Sequence, residues 1–235
     1  MALLIDSEMP ADTGVTVKNQ SSVTFSFTNT AGTFIQMCAV GFLITATDTI
    51  TSMTYNGVEA DRKDAYRDPG NGVNYGTIGT LVNPATGANN VVVTFNTTMN
   101  GFSFGCLSFT GQHASAPVGN IQTNSGSTGG SHTVTVSSAS GNIVSGLYGD
   151  GCGVASVNGA ISWRTTDDCS GSLYTGACDT YSGAASVVAG FTDVGADNWW
   201  VMGMDIVAAA GGAAAGKRPQ SRPFPYTPGS PPGLI

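Results

Sequence analysis

Residues 34–46 read FIQMCAVGFLITA. The run is too apolar to alternate between a wet and a dry face. Its β-branched and aromatic content suits a pleated strand better than a helix. It predicts a central strand covered on both sides, with Gly41 as a candidate bulge. Upstream, SVTFSFT (22–28) sets Val23, Phe25 and Phe27 against Ser and Thr, the alternation of a half-buried strand. Downstream, ITSMTY (50–55) ends at Asn56-Gly57, the strongest short hairpin signal, with VEADRK as the return strand.

The same grammar continues along the chain. YGTIGTLV (75–82) stops at Asn83-Pro84. VVVTFN (91–96) and FSFGCLSFTG (102–111) are expected to pair across Met99-Asn100-Gly101. A Ser/Gly/Asn/Thr-rich loop is expected over 112–130, then strands at 132–138 and 142–150. Residues 151–183 read as irregular, with short strands at 161–166 and 172–176; strands at 185–194 and 198–210 close the body. Turn signals every 8–12 residues predict an all-β sandwich or barrel, and the fold class expected is an antiparallel, jelly-roll-like β-sandwich. Phe25, Phe27, Phe42, Ile44, Val92, Phe104 and Leu107 are the expected core. The expected organisation is a lead-in over 1–20, a sandwich over 21–210, and a Gly/Ala hinge with an extended Pro-rich C-terminal arm over 211–235.

Composition agrees with this class. Charged residues make up 10% of the chain, and 33 residues are Gly. The net charge is −7, unevenly spread. Residues 1–210 hold all fifteen acids and five bases (Lys18, Arg62, Lys63, Arg67, Arg164), a net of −10. An acidic body repels a nucleic-acid backbone, so no nucleic-acid partner is expected. Residues 217–235, KRPQSRPFPYTPGSPPGLI, carry six prolines, three bases and no acid. Such a segment favours an extended polyproline path. Lys217, Arg218 and Arg222 are candidate contacts to an acidic partner. Phe224, Tyr226, Leu234 and Ile235 are its large apolar anchors. No apolar run approaches ~20 residues, so no membrane span is expected. Asp6 and Glu8 interrupt the opening Met-Ala-Leu-Leu-Ile, so no signal peptide is expected either, and synthesis in the cytoplasm follows.

Three segments together resemble a β-sandwich domain that recurs in bacteriophage virion proteins and bacterial surface proteins. They are ITSMTYNGVEA (50–60), GTLVNPATGANNVVVTF (79–95) and FSFGCLSFTGQHASAPVGN (102–120). Thr54, Tyr55, Gly57, Leu81, Asn83, Pro84, Gly87, Ser108, Phe109, Gly111 and Pro117 carry the resemblance, while His113 stands where an apolar residue is usual. It spans about residues 21–210 and excludes the arm. These are scaffold positions. The resemblance implies display, attachment or decoration: a virion structural protein, capsid decoration or head- or tail-attached fibre, partnered by other virion proteins and copies of itself. The alternative is an adhesin or carbohydrate-binding module.

Catalytic readings find little support. The imidazole candidates are His113, in a loop, and His132, expected to face solvent from its strand. Cys152, in GDGCG, lacks a cationic neighbour to form a thiolate. Cys38 and Cys106 read as buried core residues, and Cys152, Cys169 and Cys178 as turn residues. A Cys169–Cys178 bridge suits a fold that matures outside the cell, and cytoplasmic synthesis opposes it. The only glutamates, Glu8 and Glu59, lie in exposed charged stretches. Trp199 and Trp200 alternate faces, so one reads as core and the other as core or as an exposed platform for a sugar or a neighbour, core packing being the commoner role for each; Trp163 and Tyr174 are the other aromatic candidates. No cofactor is expected. Asp150, Asp167, Asp168, Asp179, Asp193 and Asp197 are the candidate oxygen ligands for Ca²⁺, without the spacing of a dedicated calcium loop.

Overall fold

The computed structural model describes residues 2–9, 15–42, 50–67, 74–127, 129–150, 154–164, 175–193 and 198–210. Sixteen strands lie in these residues. They are β1 (Leu4–Glu8), β2 (Val15–Asn29), β3 (Phe34–Phe42), β4 (Ile50–Tyr55), β5 (Val58–Glu59), β6 (Asp61–Arg67), β7 (Asn74–Val82) and β8 (Gly87–Thr110). Then follow β9 (Val118–Gly126), β10 (Ser131–Val136), β11 (Ile143–Asp150), β12 (Val154–Val157), β13 (Ala160–Arg164), β14 (Thr175–Ser182), β15 (Val187–Asp193) and β16 (Trp199–Ile206). The fold is all-β and antiparallel, as expected, but it has three sheets where two were predicted.

The first sheet holds β1–β8, in the order β5-β4-β8-β3-β7-β6, with β1 and β2 added along β8. The expected hairpin at Met99-Asn100-Gly101 does not form. Residues 87–110 are one strand, and β2 runs antiparallel to both of its halves. The register jumps between Gln20↔Met99 and Ser22↔Thr94, so residues 95–98 oppose Ser21 alone. Extra residues on one strand bend it sharply. The bend folds the first half of β8 over the second: the Phe95 ring lies 4.8 Å from Phe102 and 6.3 Å from Phe104. The sheet thereby closes on a core of its own, with Val23, Phe27, Met53, Tyr55, Val93 and Phe104. Of the expected core, Phe27, Phe104 and Leu107 are buried, Phe25 and Val92 half-buried, and the Phe42 and Ile44 side chains lie outside the description.

Strand pairing starts at Leu4, well before Ser21, so the segment read as a lead-in supplies two strand starts. β1 pairs with residues 107–110 of β8. Asp6 pins it: its carboxylate accepts the Thr30 and Ala31 N–H groups and the Ser108 hydroxyl. Burial opposes ionisation of Asp6, but these hydrogen bonds outweigh it and hold the group below the ordinary carboxylate value. Gly111, at φ +80°, makes room for the strand's approach: an added Cβ would lie 2.1 Å from the Ala2 carbonyl oxygen. Gly57 has a similar φ of +75° but open space around it. Gly57→Ala is therefore expected to cost about 1 kcal/mol of strain, and Gly111→Ala about 1–3 kcal/mol, by urea unfolding. Equal costs would mean that Ala2 does not pack where described.

The middle sheet runs β13-β14-β11-β16-β9, and the outer sheet β10-β15-β12. The central strands β11 and β16 of the middle sheet are buried on both faces. Trp200, Met202, Met204 and Ile206 of β16 meet Phe34, Cys38, Val40 and Phe109 of the first sheet. Trp199 and Val201 turn the other way, toward Val134, Val136 and Phe191 of the outer sheet. Two-sided burial gives continuous apolar runs rather than alternation. β3 has the same property, as predicted: Ile35, Met37 and Ala39 face the first core, Phe34, Cys38 and Val40 the second.

Two expected irregular stretches are strands. β9 lies in the predicted 112–130 loop and edges the middle sheet against β16. β14 occupies 175–182 and pairs with β11 over its full length.

Candidate functional site

Among the described residues, the aspartates of the second half sit between layers, not in turns. Asp150, Asp179, Asp193 and Asp205 are all buried. His132 is the largest correction. Expected on the solvent face of its strand, it shares the inward face of β10 with Val134 and Val136 and is 4% exposed. Its Nε2 lies 2.8 Å from Asp193 Oδ2, whose side chain is 2% exposed. Asp193 Oδ1 accepts the Gly130 N–H at 2.8 Å. The His132 ring stacks on Trp199, centroids 3.9 Å apart and planes 19° apart. The pair thus ties β10, β15 and β16 at one end of the interlayer core.

A second cluster joins the middle and outer sheets. The Tyr148 hydroxyl donates to Asp179 Oδ1 and lies 2.9 Å from the Tyr181 hydroxyl. Asp179 Oδ2 accepts the Gly159 N–H at 2.8 Å, and the Tyr181 hydroxyl accepts the Gly190 N–H at 3.0 Å. The bare Cα of Gly146 leaves space for the contact, since an added Cβ would meet the Tyr148 hydroxyl oxygen at 2.0 Å. Burial pushes Asp179 up to about 7, against its hydrogen bonds. Burial also raises both tyrosines above the ordinary phenol value.

At the far end of the same interface, Asp205 accepts the Ser138 hydroxyl at 2.6 Å and the Asn142 amide at 3.0 Å. Between the first and middle sheets, Gln36 Nε2 donates to Ser145 Oγ (2.8 Å) and Cys38 Sγ (3.2 Å), and Ser145 Oγ lies 3.4 Å from Cys178 Sγ. Cys38 and Cys106 are buried, as predicted. Cys178 is not a turn residue; it is a buried free thiol on β14. Burial pushes the Cys106 and Cys178 thiols well up, which keeps both protonated. Cys152 and Cys169 lie outside the described residues.

Trp199 and Trp200 are both buried, the commoner of the two roles expected, because β16 is covered on both faces, and neither serves as an exposed platform. The side chains of Trp163 and Tyr174 lie outside the description. Glu8 and Glu59 are exposed on the first sheet. His113 is half-buried, its Nδ1 accepting the Ala116 N–H at 3.1 Å. Of the candidate Ca²⁺ ligands, Asp179 and Asp193 belong to separate clusters, and Asp167, Asp168 and Asp197 lie outside the description. Among the described residues no group of three metal-ligating side chains occurs.

The chain's open surface features are grooves. One, of about 770 Å³, lies between β1, the turn at 140–142, β14 and Ala208–Ala209. Among the described residues it has no charged lining, and Leu4, 58% exposed, stands in it. A second, of about 640 Å³, runs between β7 and residues 115–121, with Glu59, Asp61 and Lys63 on its rim. Sequence reading missed both; the apolar Leu3-Leu4-Ile5 run was the one signal. Ala208 bridges to Gln112 and the Ala209 N–H donates to the Gly111 carbonyl at 2.7 Å, so both pack on the body. The arm residues Lys217, Arg218, Arg222, Phe224, Tyr226, Leu234 and Ile235 lie outside the described residues.

Fold and interior define an all-β, antiparallel, multi-sheet protein whose polar groups cross-brace its layers. Comparison with family models, curated proteins and solved structures finds no match.

Proposed function

We propose that this chain is a non-enzymatic structural protein of a bacteriophage virion, a capsid decoration (cement) protein or a head- or tail-attached fibre component. The observation that carries the reading is where its ionisable groups are spent. His132, Asp193, Asp179 and Asp205 each hold one strand or layer to another and are enclosed by the core. That favours a cohesive scaffold over a site that must meet substrate. The resemblance over 50–120 points the same way. On this reading the curled first sheet is the jelly-roll-like unit of the resemblance, and the arm beyond Gly216 reaches other virion proteins or other copies of the chain. Mass spectrometry of purified particles tests the class. The chain is expected among the virion proteins, and its absence there would remove the reading. Truncation after Gly216 tests the arm: the shortened chain is expected to fold but not to join particles, whereas full incorporation would place the interface on the body.

One observation favours the adhesin or carbohydrate-binding alternative. The outward face of the outer sheet presents Ser131, Thr133, Thr135 and Thr192, neutral hydroxyls without a charged neighbour among the described residues of that face. Saturable binding to a glycan array, lost in a Thr133→Val/Thr135→Val variant, would select that reading.

A further inference from the structure

We propose that the uncharged groove at the root of the arm receives the Phe224-Pro225-Tyr226 stretch of a second copy of this chain, so that two copies exchange arms. The inference rests on the reading of the arm as an attachment device and names what the arm attaches to.

The groove is bounded by Leu4 and Ile5 on one side and Ile143 and Ala160 on the other, and it ends at Ala208 and Ala209. Among the described residues its walls are apolar or neutral, so it suits aromatic and proline side chains and offers no counter-charge for a basic segment. Leu4 is the most exposed large apolar side chain among the described residues, and removing it from water is favourable. The described chain runs to Ala210, next to the groove residue Ala209, and 25 residues follow in the sequence. Phe224 and Tyr226 are the aromatics among them. Prolines at 219, 223, 225 and 228 favour an extended path of ~3.1 Å per residue, which puts Tyr226 ~20 Å beyond Pro219. An arm on that path carries its aromatics past a groove at its own root. The equivalent groove of a second copy would then receive them, and reciprocal exchange would close the two copies on each other. Proline spacing also lowers the entropy lost on docking.

The test uses the full chain and two variants. Leu4→Asp spoils the groove and leaves the arm; Phe224→Ser/Tyr226→Ser spoils the arm and leaves the groove. Sedimentation of the unaltered chain is expected to show a concentration-dependent dimer. Each variant alone is expected to associate at least tenfold more weakly, with the parent's thermal midpoint at concentrations where both are monomeric. An equimolar mixture of the two is expected to regain a 1:1 complex, because the sound arm of one enters the sound groove of the other. Ala209→Glu replaces Leu4→Asp if that variant unfolds. A monomeric parent chain, variants that dimerise like the parent, or a mixture that stays monomeric would each overturn the proposal. These outcomes are independent of whether the chain is found in particles, which tests the virion reading by itself.

Discussion

Replacing His132 with alanine is expected to cost about 3–5 kcal/mol of folding stability, an effect of the size seen when one partner of a buried polar pair is removed. Two losses add. Asp193 keeps the Gly130 N–H but loses the imidazole 2.8 Å from its other oxygen, in a place water does not reach. The ring also leaves a gap beside Trp199 and Phe191, whose centroids lie 3.9 and 5.1 Å from it. Asp193→Asn keeps an oxygen for Gly130 and an amide opposite His132, and it is expected to cost clearly less. His113→Ala removes a single turn hydrogen bond at a half-buried site and is expected to cost about 1 kcal/mol or less. Urea unfolding of the three variants checks the order. A His132→Ala cost as small as that of His113→Ala would show that the layers do not close over the imidazole.

The sequence conveyed strand character well and layer number poorly. FIQMCAVGF was legible as a doubly covered strand because its whole run is apolar, and Asn56-Gly57 as a turn because both residues take φ near +50° to +75°. The β8 bend was not legible. Met99-Asn100-Gly101 carries turn chemistry, yet β2 continues alongside, and local composition does not reveal which long strand will span a kink. VEADRK misled in another way: β5 returns to β4, but β6 crosses to pair with β7, and no turn residue announces the change. The buried His132 and Asp179 share one cause. A period-2 pattern shows which residues share a face, but not that a third sheet covers it. HTVTV reads as Val-in, Thr-out, which puts His132 on the Val face; it was assigned to solvent because it opens the strand. The arm groove was illegible because Leu4 and Ala208 are far apart in sequence and meet only through β1, β8 and β16.

The stability of this protein is expected to fall as pH rises from about 4 to about 7, relative to an Asp179→Asn variant. Burial pushes the Asp179 carboxyl up to about 7 in the folded chain, from 3.8 when unfolded. Between those values the folded state holds a proton that the unfolded state has released, so each added pH unit favours unfolding. The contribution is complete below pH 3.8 and lost as pH passes through 7. Its full size is roughly 4 kcal/mol at about 1.4 kcal/mol per unit. The cluster explains why the acid form fits. Ionised Asp179 accepts the Tyr148 hydroxyl and the Gly159 N–H; on protonation the Tyr148 hydroxyl turns its proton toward Tyr181 and accepts the acid O–H instead. Asparagine repeats that pattern with its carbonyl and amide and does not titrate. Asp6 works in the opposite sense, since its depressed value gives stability that is lost on acidification, but it is common to both proteins and cancels in the comparison. Urea unfolding of both chains at half-unit steps from pH 4 to 8 gives the difference curve. A flat difference would mean that Asp179 is ionised and well solvated in the folded state, and the Tyr148–Asp179–Tyr181 cluster would then be open to water.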